Sequence, residues 1–119
     1  MNMKYKIVCV KERYVELVKK YPVFLKQIYQ KQDNMYKTKQ IELIFSSMSA
    51  EKEKLLHHIQ SREDYSYYHG THQLLNPITC QKMTMVMNEY DLDVEEEGNN
   101  HCLYDIISSF SKNFYMITK

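Results

Sequence analysis

Tyr5-Lys6-Ile7-Val8-Cys9-Val10 opens the stretch from Lys4 to Ile44 around which the chain is organised. The run is short, apolar and rich in β-branched residues, which is typical of a strand covered on at least one face. A charged triplet, Lys11-Glu12-Arg13, follows it, and apolar residues at helical spacing come next. This order predicts a small α/β domain in which helices pack on a buried first strand.

The composition of the 119 residues limits the class of protein. The chain is 44% hydrophobic and 26% charged, which is enough for one modest core and argues against disorder. We therefore expect a single domain over residues 1–119, with no linker suited to a second one. The net charge of +1 creates no global field that would attract nucleic acid or an anionic membrane.

The sequence predicts a cytoplasmic location. No apolar run approaches the roughly 20 residues that a membrane helix needs, and the segment from Met1 to Lys6 lacks the apolar core of a signal peptide. Cys9, Cys80 and Cys102 are an odd number without close spacing. They form neither a disulfide framework nor a zinc or redox pair, and Cys9 and Cys102 are interpreted as small core residues.

The tyrosine content is compatible with two kinds of binding surface. Eleven tyrosines and eight methionines without tryptophan fit a protein-binding module, because tyrosine is enriched at interfaces and methionine adapts its shape there. The N-terminal third is also basic, and its tyrosines can stack on bases. A nucleic-acid-binding module is therefore the alternative, although Arg13 is the only arginine in that region.

Four helices are predicted between the first strand and Asp64. Pro22 separates the first two or kinks a single long helix, and Asn34 and Ser49 are candidate N-caps. An end of the third helix at Ser46-Ser47 is also compatible with the sequence. The predicted helices and their inward residues are Glu12 to Lys20 (Val15, Leu17, Val18, Tyr21), Pro22 to Gln32 (Phe24, Leu25, Ile28, Tyr29), Met35 to Met48 (Ile41, Ile44, Phe45, Met48) and Ala50 to Ser61 (Leu55, Leu56, Ile59).

From Asp64 the apolar period changes to two, which predicts strands. The sheet is expected to be small, mixed or antiparallel, with four to five strands and helices packed on it. The element order is β-α-α-α-α-β-β-β-α-β, an α/β (α+β) class. The predicted elements are a strand Tyr65 to His69 stopped by Gly70, a turn at Asn76-Pro77, a hairpin of Met83 to Met87 and Tyr90 to Glu95 joined at Asn88-Glu89, a helix His101 to Ser111 that buries Cys102 or Leu103 with Ile106, Ile107 and Phe110, and a strand Phe114 to Thr118.

The sequence offers few groups for catalysis or metal binding. The His69-Gly70-Thr71-His72 segment has a spacing that can hold one edge of a metal site, but a turn with two ordinary histidines is the better interpretation. The carboxylates of Asp91, Asp93 and Glu95 to Glu97 are interpreted as a solvated strand face rather than an acid/base pair or a calcium site. Two glycines leave no phosphate-binding loop. We expect no enzymatic activity, no cofactor and no metal.

Two segments resemble the sporulation inhibitor of replication (SirA) family, small cytoplasmic proteins of Gram-positive, mostly spore-forming bacteria. Lys4 to Tyr14 is similar to the family's aromatic-rich first strand and the start of its first helix, and Lys39-Gln40-Ile41-Glu42-Leu43-Ile44 is similar to its K-Q-I-x-Y-I motif. Thr84 to Phe110, with Glu97-Gly98 before Cys102-Leu103-Tyr104-Asp105-Ile106-Ile107, resembles the family's glycine loop and following helix. Together these segments cover roughly half of the chain.

The resemblance implies a regulatory protein without enzymatic activity. Family members bind the N-terminal domain of the replication initiator DnaA and restrain initiation of DNA replication, so the implied partner is that protein domain, with no membrane and no direct nucleic-acid contact. The matched contact positions are Tyr14, Val18, Gln40 and Leu43; the family has tyrosine where Val18 and Leu43 stand here. Taken from the residues alone, Tyr14 is a rim residue and Gln40 a solvated one.

Overall fold

β1 (Asn2–Cys9) lies inside a six-stranded sheet, between two strands from the second half of the chain. The computed structural model describes residues 2–30, 33–75, 81–98, 102–109 and 113–118. The elements that follow β1 are a 3-10 turn (Glu12–Tyr14), α1 (Val15–Lys20), α2 (Phe24–Gln30), α3 (Met35–Ile44), α4 (Met48–Gln60), β2 (Tyr65–Tyr68), β3 (Thr71–Leu75), β4 (Lys82–Met87), β5 (Leu92–Glu97), α5 (Cys102–Ser108) and β6 (Phe114–Thr118).

The sheet has the strand order β2-β3-β4-β5-β1-β6, and each neighbouring pair is antiparallel. The predicted α+β class and the order of the predicted elements are confirmed. The strand count differs, because the described sheet has six strands where four to five were expected. The additional strand is β3. The last strand, β6, begins and ends at the predicted residues.

The β2–β3 hairpin explains why β3 was not predicted. His69 and Gly70 form its two-residue turn with positive φ values of 48° and 78°, a geometry whose twist matches that of paired strands. Glycine adopts positive φ readily, and histidine is among the residues enriched there. The interpretation of His69 to His72 as one turn was wrong, because Thr71 and His72 already belong to β3.

β1 is buried on both faces of the sheet, which confirms its predicted position in the core. Tyr5, Ile7 and Cys9 belong to a core shared with α4 and α5. Val8 and Val10 belong to a second core shared with α1, α2 and α3. We call these two sides the α4–α5 face and the α1–α3 face.

The helices of the α1–α3 face cover only part of the sheet. The second core contains no described residue of β2, β3 or β4. On that side Tyr68, Leu75 and Val86 are exposed. The sheet therefore has helices on both faces near β1 and β6, and on one face near β2.

α3 is shorter than predicted. It ends at Ile44, because Phe45 leaves the helix and forms an antiparallel bridge with Val10 of the β1 extension. Met48 consequently belongs to α4, where it is buried. The end near Ser46-Ser47, which the sequence left open, is the correct one.

The N-caps of α3 and α4 are side-chain oxygens. Asn34 caps α3 as predicted, by accepting a hydrogen bond from the Lys37 N–H at 3.0 Å. The cap of α4 is Ser47 rather than Ser49, since its hydroxyl accepts from the Ala50 N–H at 3.4 Å. The two serines are both suitable cap residues, and the early end of α3 selects the first.

α1 and α2 are separate helices with the Pro22 turn between them. α1 buries Val15 and Val18, as expected. Leu17 and Tyr21 were expected to be buried beside them, but they are 40% and 52% exposed. That part of the prediction was wrong, because the short α1 contacts the core along one narrow stripe.

Glu96 lies in the acidic run that was expected to be solvated, yet only 1% of it is exposed. Its carboxylate accepts hydrogen bonds from the Tyr5 hydroxyl and from the Leu103 N–H. The Tyr5 hydroxyl in turn accepts from the Tyr104 N–H at 3.1 Å. Burial, and then the Glu96 carboxylate, raises the pKa of Tyr5. Glu96 thus connects β5, β1 and α5.

Some predicted features lie outside the described residues: the Asn76-Pro77 turn, Cys80, and both ends of the predicted helix His101 to Ser111. Within α5, Leu103 and Ile107 are buried, while Cys102 is only half-buried. Of the two alternatives that the sequence left open, Leu103 is therefore the core residue.

Candidate partner-binding surface

Tyr14 ends the 3-10 turn and packs, half-buried, against the second core. The Arg13 guanidinium lies 5.2 Å from the centroid of its ring, and Arg13 Nη2 donates to the Tyr14 hydroxyl at 3.3 Å. The side chain thus combines an apolar body with a polar tip and a neighbouring cation at the protein surface. Such a combination is common where tyrosines anchor protein interfaces.

Lys11 connects the turn that carries Tyr14 to the end of α3. The Lys11 N–H donates to the Ile44 carbonyl at 2.8 Å, and Lys11 Nζ donates to the Glu42 carbonyl at 2.9 Å. The Lys11 carbonyl accepts from the Tyr14 N–H at 2.9 Å. These hydrogen bonds hold Tyr14 beside the C-terminal turn of α3, which includes Leu43.

The other three matched positions differ in accessibility. Leu43 is 49% exposed and Gln40 is half-buried; they stand three residues apart on α3 and share one face. Val18 is 2% exposed and belongs to the second core, so it offers no surface to a partner. Tyr14 and Leu43 therefore lie on elements joined by hydrogen bonds, Gln40 precedes Leu43 on α3, and Val18 lies in the second core.

Tyr36 extends the accessible stripe of α3, and sequence reasoning did not assign it to the site. It is 81% exposed. Tyr36, Gln40 and Leu43 follow i, i+4, i+7 spacing, which puts them along one side of the helix. The spacing is visible in the sequence, but the apolar stripe of Ile41 and Ile44 on the same helix is the stronger signal.

A second exposed row follows the start of the helical layer. Tyr14, Leu17 and Tyr21 stand at i, i+3 and i+7, and the latter two are exposed as described above. Spacing of this kind is also typical of a buried helix face, which is why Leu17 and Tyr21 were assigned to the core and Tyr14 to its rim. We call the following six residues the exposed helical surface: Tyr14, Leu17, Tyr21, Tyr36, Gln40 and Leu43.

Charges of both signs accompany the exposed helical surface. The exposed cations of this layer are Arg13, Lys19, Lys20, Lys26 and Lys39. The carboxylates of Glu12, Glu16 and Glu42 lie on the same elements, and Lys19 Nζ is 3.9 Å from Glu16. Mixed charge suits the polar rim of a protein interface, whereas a phosphate backbone requires a continuous positive track.

A polar network fixes the helical layer to the sheet. The Tyr29 hydroxyl on α2 donates to Asp91 at 2.9 Å, and the Asn88 amide donates to Asp91 and Asp93 at 2.7 and 2.8 Å. Lys6 Nζ on β1 donates to Asp93 at 2.8 Å and lies 3.5 Å from Asp91. Burial lowers the pKa of Lys6, but the two carboxylates outweigh it and raise that pKa overall. The expectation that these aspartates are merely solvated was wrong.

His69 and His72 lie in different surroundings. His72 is buried, with Nδ1 2.8 Å from the Tyr65 hydroxyl, and burial followed by the charge of Lys52 lowers its pKa. His69 is exposed in the turn with its ring centroid 4.0 Å from that of Tyr68. Across the described ranges, no three His, Cys, Asp or Glu side chains are placed to hold a metal ion.

The two described cysteines are poor nucleophiles. Cys9 is buried, as predicted, and burial raises its pKa to about 11. Cys102 is half-buried, and burial followed by the charge of Glu96 raises its pKa as well. Both residues therefore favour the thiol over the reactive thiolate.

Comparison with known proteins adds no family assignment. No protein-family model matches the sequence, and no curated protein matches it. Of the helices in the described segments, none is both long and apolar enough to cross a bilayer.

Proposed function

We propose that this chain is a regulatory protein without enzymatic activity, which binds the N-terminal domain of DnaA in the cytoplasm and inhibits initiation of DNA replication. The resemblance of Lys4 to Tyr14, Lys39 to Ile44 and Thr84 to Phe110 to the sporulation inhibitor of replication family supports the proposal. The observation that carries it is the exposed helical surface, in which Tyr14 and Leu43 lie on elements joined by hydrogen bonds.

The exposed helical surface has the chemistry of an interface centre. Tyr14 provides an aromatic anchor, Leu43 an exposed aliphatic side chain, and Gln40 an amide three residues before Leu43 on α3. Interface hot spots commonly combine a large anchor with a surround of weaker contacts that excludes water. Val18 contributes by supporting α1 from the core, and Tyr36 adds aromatic contact area on α3.

The proposed mechanism is occlusion. The chain covers a helical surface of DnaA that the initiator requires for self-association or for helper proteins. No bond is made or broken in such a mechanism, so no catalytic residue is assigned. Affinity for DnaA and exclusion of its other partners are the two properties that the exposed helical surface has to provide.

The alternative is a nucleic-acid-binding module that uses the basic, tyrosine-rich N-terminal third. The exposed cations of the helical layer favour it. Salt separates the two functions, because binding through several phosphate contacts weakens by orders of magnitude between about 50 and about 200 mM salt. A protein interface centred on Tyr14 and Leu43 weakens only mildly over that range.

Calorimetric titration against the DnaA N-terminal domain of the same organism tests the proposal. Tyr14→Ala and Leu43→Ala are each expected to weaken binding by about 1 kcal/mol or more, the usual loss at a hot spot. Leu75→Ala is the matched control, because Leu75 is a leucine of similar exposure (41%) on β3, outside the helical layer. Absence of binding at micromolar concentration would refute the function, and an equal loss for Leu75→Ala would refute the exposed helical surface as the binding site.

A further inference from the structure

The two ends of α3 are attached to the rest of the molecule by different means. Of its ten described residues, only Ile44, the last, is buried, and Ile41 packs, partly buried, against the second core. Residues 35–40, all of them described, include no buried side chain, although Tyr36 and Gln40 of the exposed helical surface are among them. Polar contacts therefore have to hold the N-terminal part of this helix in place.

Lys37 connects the N-terminal part of α3 to α2. Only 13% of its side chain is exposed. Lys37 Nζ donates to the Asp33 carboxylate at 2.8 Å and to the Tyr29 carbonyl at 3.4 Å, and it lies 5.5 Å from the centroid of the Tyr29 ring. The hydrogen bond from Lys37, and then its charge, lowers the pKa of Asp33. One side chain thus joins α3 to the C-terminal end of α2 and to the residue just before the α3 cap.

Tyr36 lies directly before Lys37 and on another side of the helix. Successive residues of an α-helix point about 100° apart, so the contacts of Lys37 with α2 leave Tyr36 at the surface, where it is 81% exposed. Met35, the first residue of α3, is also exposed. Helix ends fray unless something holds them. The order of Tyr36 therefore depends on the contacts that its neighbour Lys37 makes.

We propose that Lys37 is a positioning residue for the exposed helical surface: it fixes the first turns of α3 to α2 and so orders Tyr36 before a partner binds. The inference rests on the proposed function, because it concerns the same surface. Lys37 acts through Tyr36, since its own ammonium is directed toward Tyr29 and Asp33. Without that ammonium the first turns of α3 are loosened, and the partner has to order Tyr36 at a cost in affinity.

Hydrogen exchange in the free chain tests the positioning without any partner. Lys37→Met keeps the apolar stem of the side chain and removes its ammonium. Exchange at the Lys39 and Gln40 amides should become about threefold faster or more, with the amides of α4 unchanged. Lys54→Met, the same change at an exposed lysine of α4, should leave the α3 amides as they are. Exchange at Lys39 and Gln40 that Lys37→Met leaves unchanged would overturn the inference, whether or not DnaA binds.

A double-mutant cycle, measured by calorimetric titration with the DnaA N-terminal domain, tests whether Lys37 acts through Tyr36. Tyr36→Ala should weaken binding about fivefold in the wild-type chain but less than about twofold beside Lys37→Met, where the ring is no longer ordered. Lys37→Arg should keep the affinity within about twofold of wild type, because a guanidinium also donates hydrogen bonds and stacks on the Tyr29 ring. Equal losses for Tyr36→Ala in both backgrounds would overturn the inference. A wild-type chain that does not bind refutes the proposed function instead, and hydrogen exchange then decides the role of Lys37.

Discussion

The two faces of the sheet hold their helices by different means. On the α4–α5 face, the buried Glu96 carboxylate receives hydrogen bonds from Tyr5 and Leu103, inside an apolar core. On the α1–α3 face, a partly exposed network links the Tyr29 hydroxyl and Lys6 to aspartates of the β4–β5 region. The Glu96 carboxylate is buried, whereas the second face retains an accessible polar group in Asp93, whose side chain is 45% exposed.

The outer surfaces of the two helical layers also differ, in the number of large hydrophobic side chains that they expose. Among the described residues, α4 and α5 carry no exposed large hydrophobic side chain. The layer of α1, α2 and α3, with its connecting turns, carries six. These residues are Leu17, Tyr21, Val23, Met35, Tyr36 and Leu43. One face therefore supplies stability, whereas the other supplies stability and also an exposed apolar surface.

Removal of the Glu96 carboxylate should give the largest effect. Glu96→Ala removes the buried carboxylate that accepts from the Tyr5 hydroxyl and the Leu103 N–H, which should lower the free energy of unfolding by about 3 kcal/mol. Glu97→Ala is the control, because Glu97 is the exposed neighbour on the same strand. Urea unfolding measures both variants. Equal stability of the two would show that the α4–α5 face does not depend on this carboxylate.

The network on the other face should contribute less. Asp91→Ala removes the acceptor of the Tyr29 hydroxyl and one of the two acceptors of the Asn88 amide, and we expect a loss of about 2 kcal/mol in the free energy of unfolding. Glu89→Ala, an exposed carboxylate in the same loop, should cost no more than about 0.5 kcal/mol. A loss for Asp91→Ala as large as that for Glu96→Ala would remove the distinction between the faces.

Val18 and Leu43 separate stability from binding within the helical layer. Val18→Ala should lower the free energy of unfolding by about 1.5 kcal/mol, because it removes two buried methyl groups and leaves a cavity. Leu43→Ala should change it by no more than about 0.5 kcal/mol, because Leu43 is exposed. Thermal unfolding checks both values. Destabilisation by Leu43→Ala equal to that by Val18→Ala would assign Leu43 to the core instead.

His72 should give the smallest effect, as a pH dependence. Burial, and then Lys52, lowers its pKa below the ordinary 6.5; Tyr65 and Tyr67 also face its ring. The folded state then binds the proton less readily than the unfolded state, so this contribution to stability is complete above about pH 6.5 and is lost as pH falls. His72→Gln should reduce the loss of stability between about pH 7.5 and about pH 5.5, whereas His57→Gln, an exposed control, should not. Identical profiles for both variants would contradict this.

Local patterns predicted most of the fold. β1, β5 and β6 were predicted from short apolar or alternating runs, and the buried residues Leu55, Leu56 and Ile59 of α4 from their helical spacing. The hairpin strand β3 escaped prediction because its turn uses His69-Gly70, in which histidine adopts a positive φ.

Long-range contacts account for what the sequence did not reveal. Glu96 is buried because Tyr5, 91 residues earlier, reaches its carboxylate, and an acidic run alone indicates a solvated strand. Leu17 and Tyr21 are exposed because α1 contacts the core only along the stripe of Val15 and Val18. Apolar spacing identifies a helix face, but tertiary contacts decide whether that face is the covered one.

Amide chemical-shift mapping of the isotope-labelled chain during titration with the DnaA N-terminal domain tests the proposed surface most directly. The largest shifts are expected at Tyr14, Gln40 and Leu43, with the residues of α4 and α5 unchanged. Shifts that cluster on α4, α5 or β2 would contradict the surface. Absence of any shift at about 100 μM DnaA domain would contradict the partner itself.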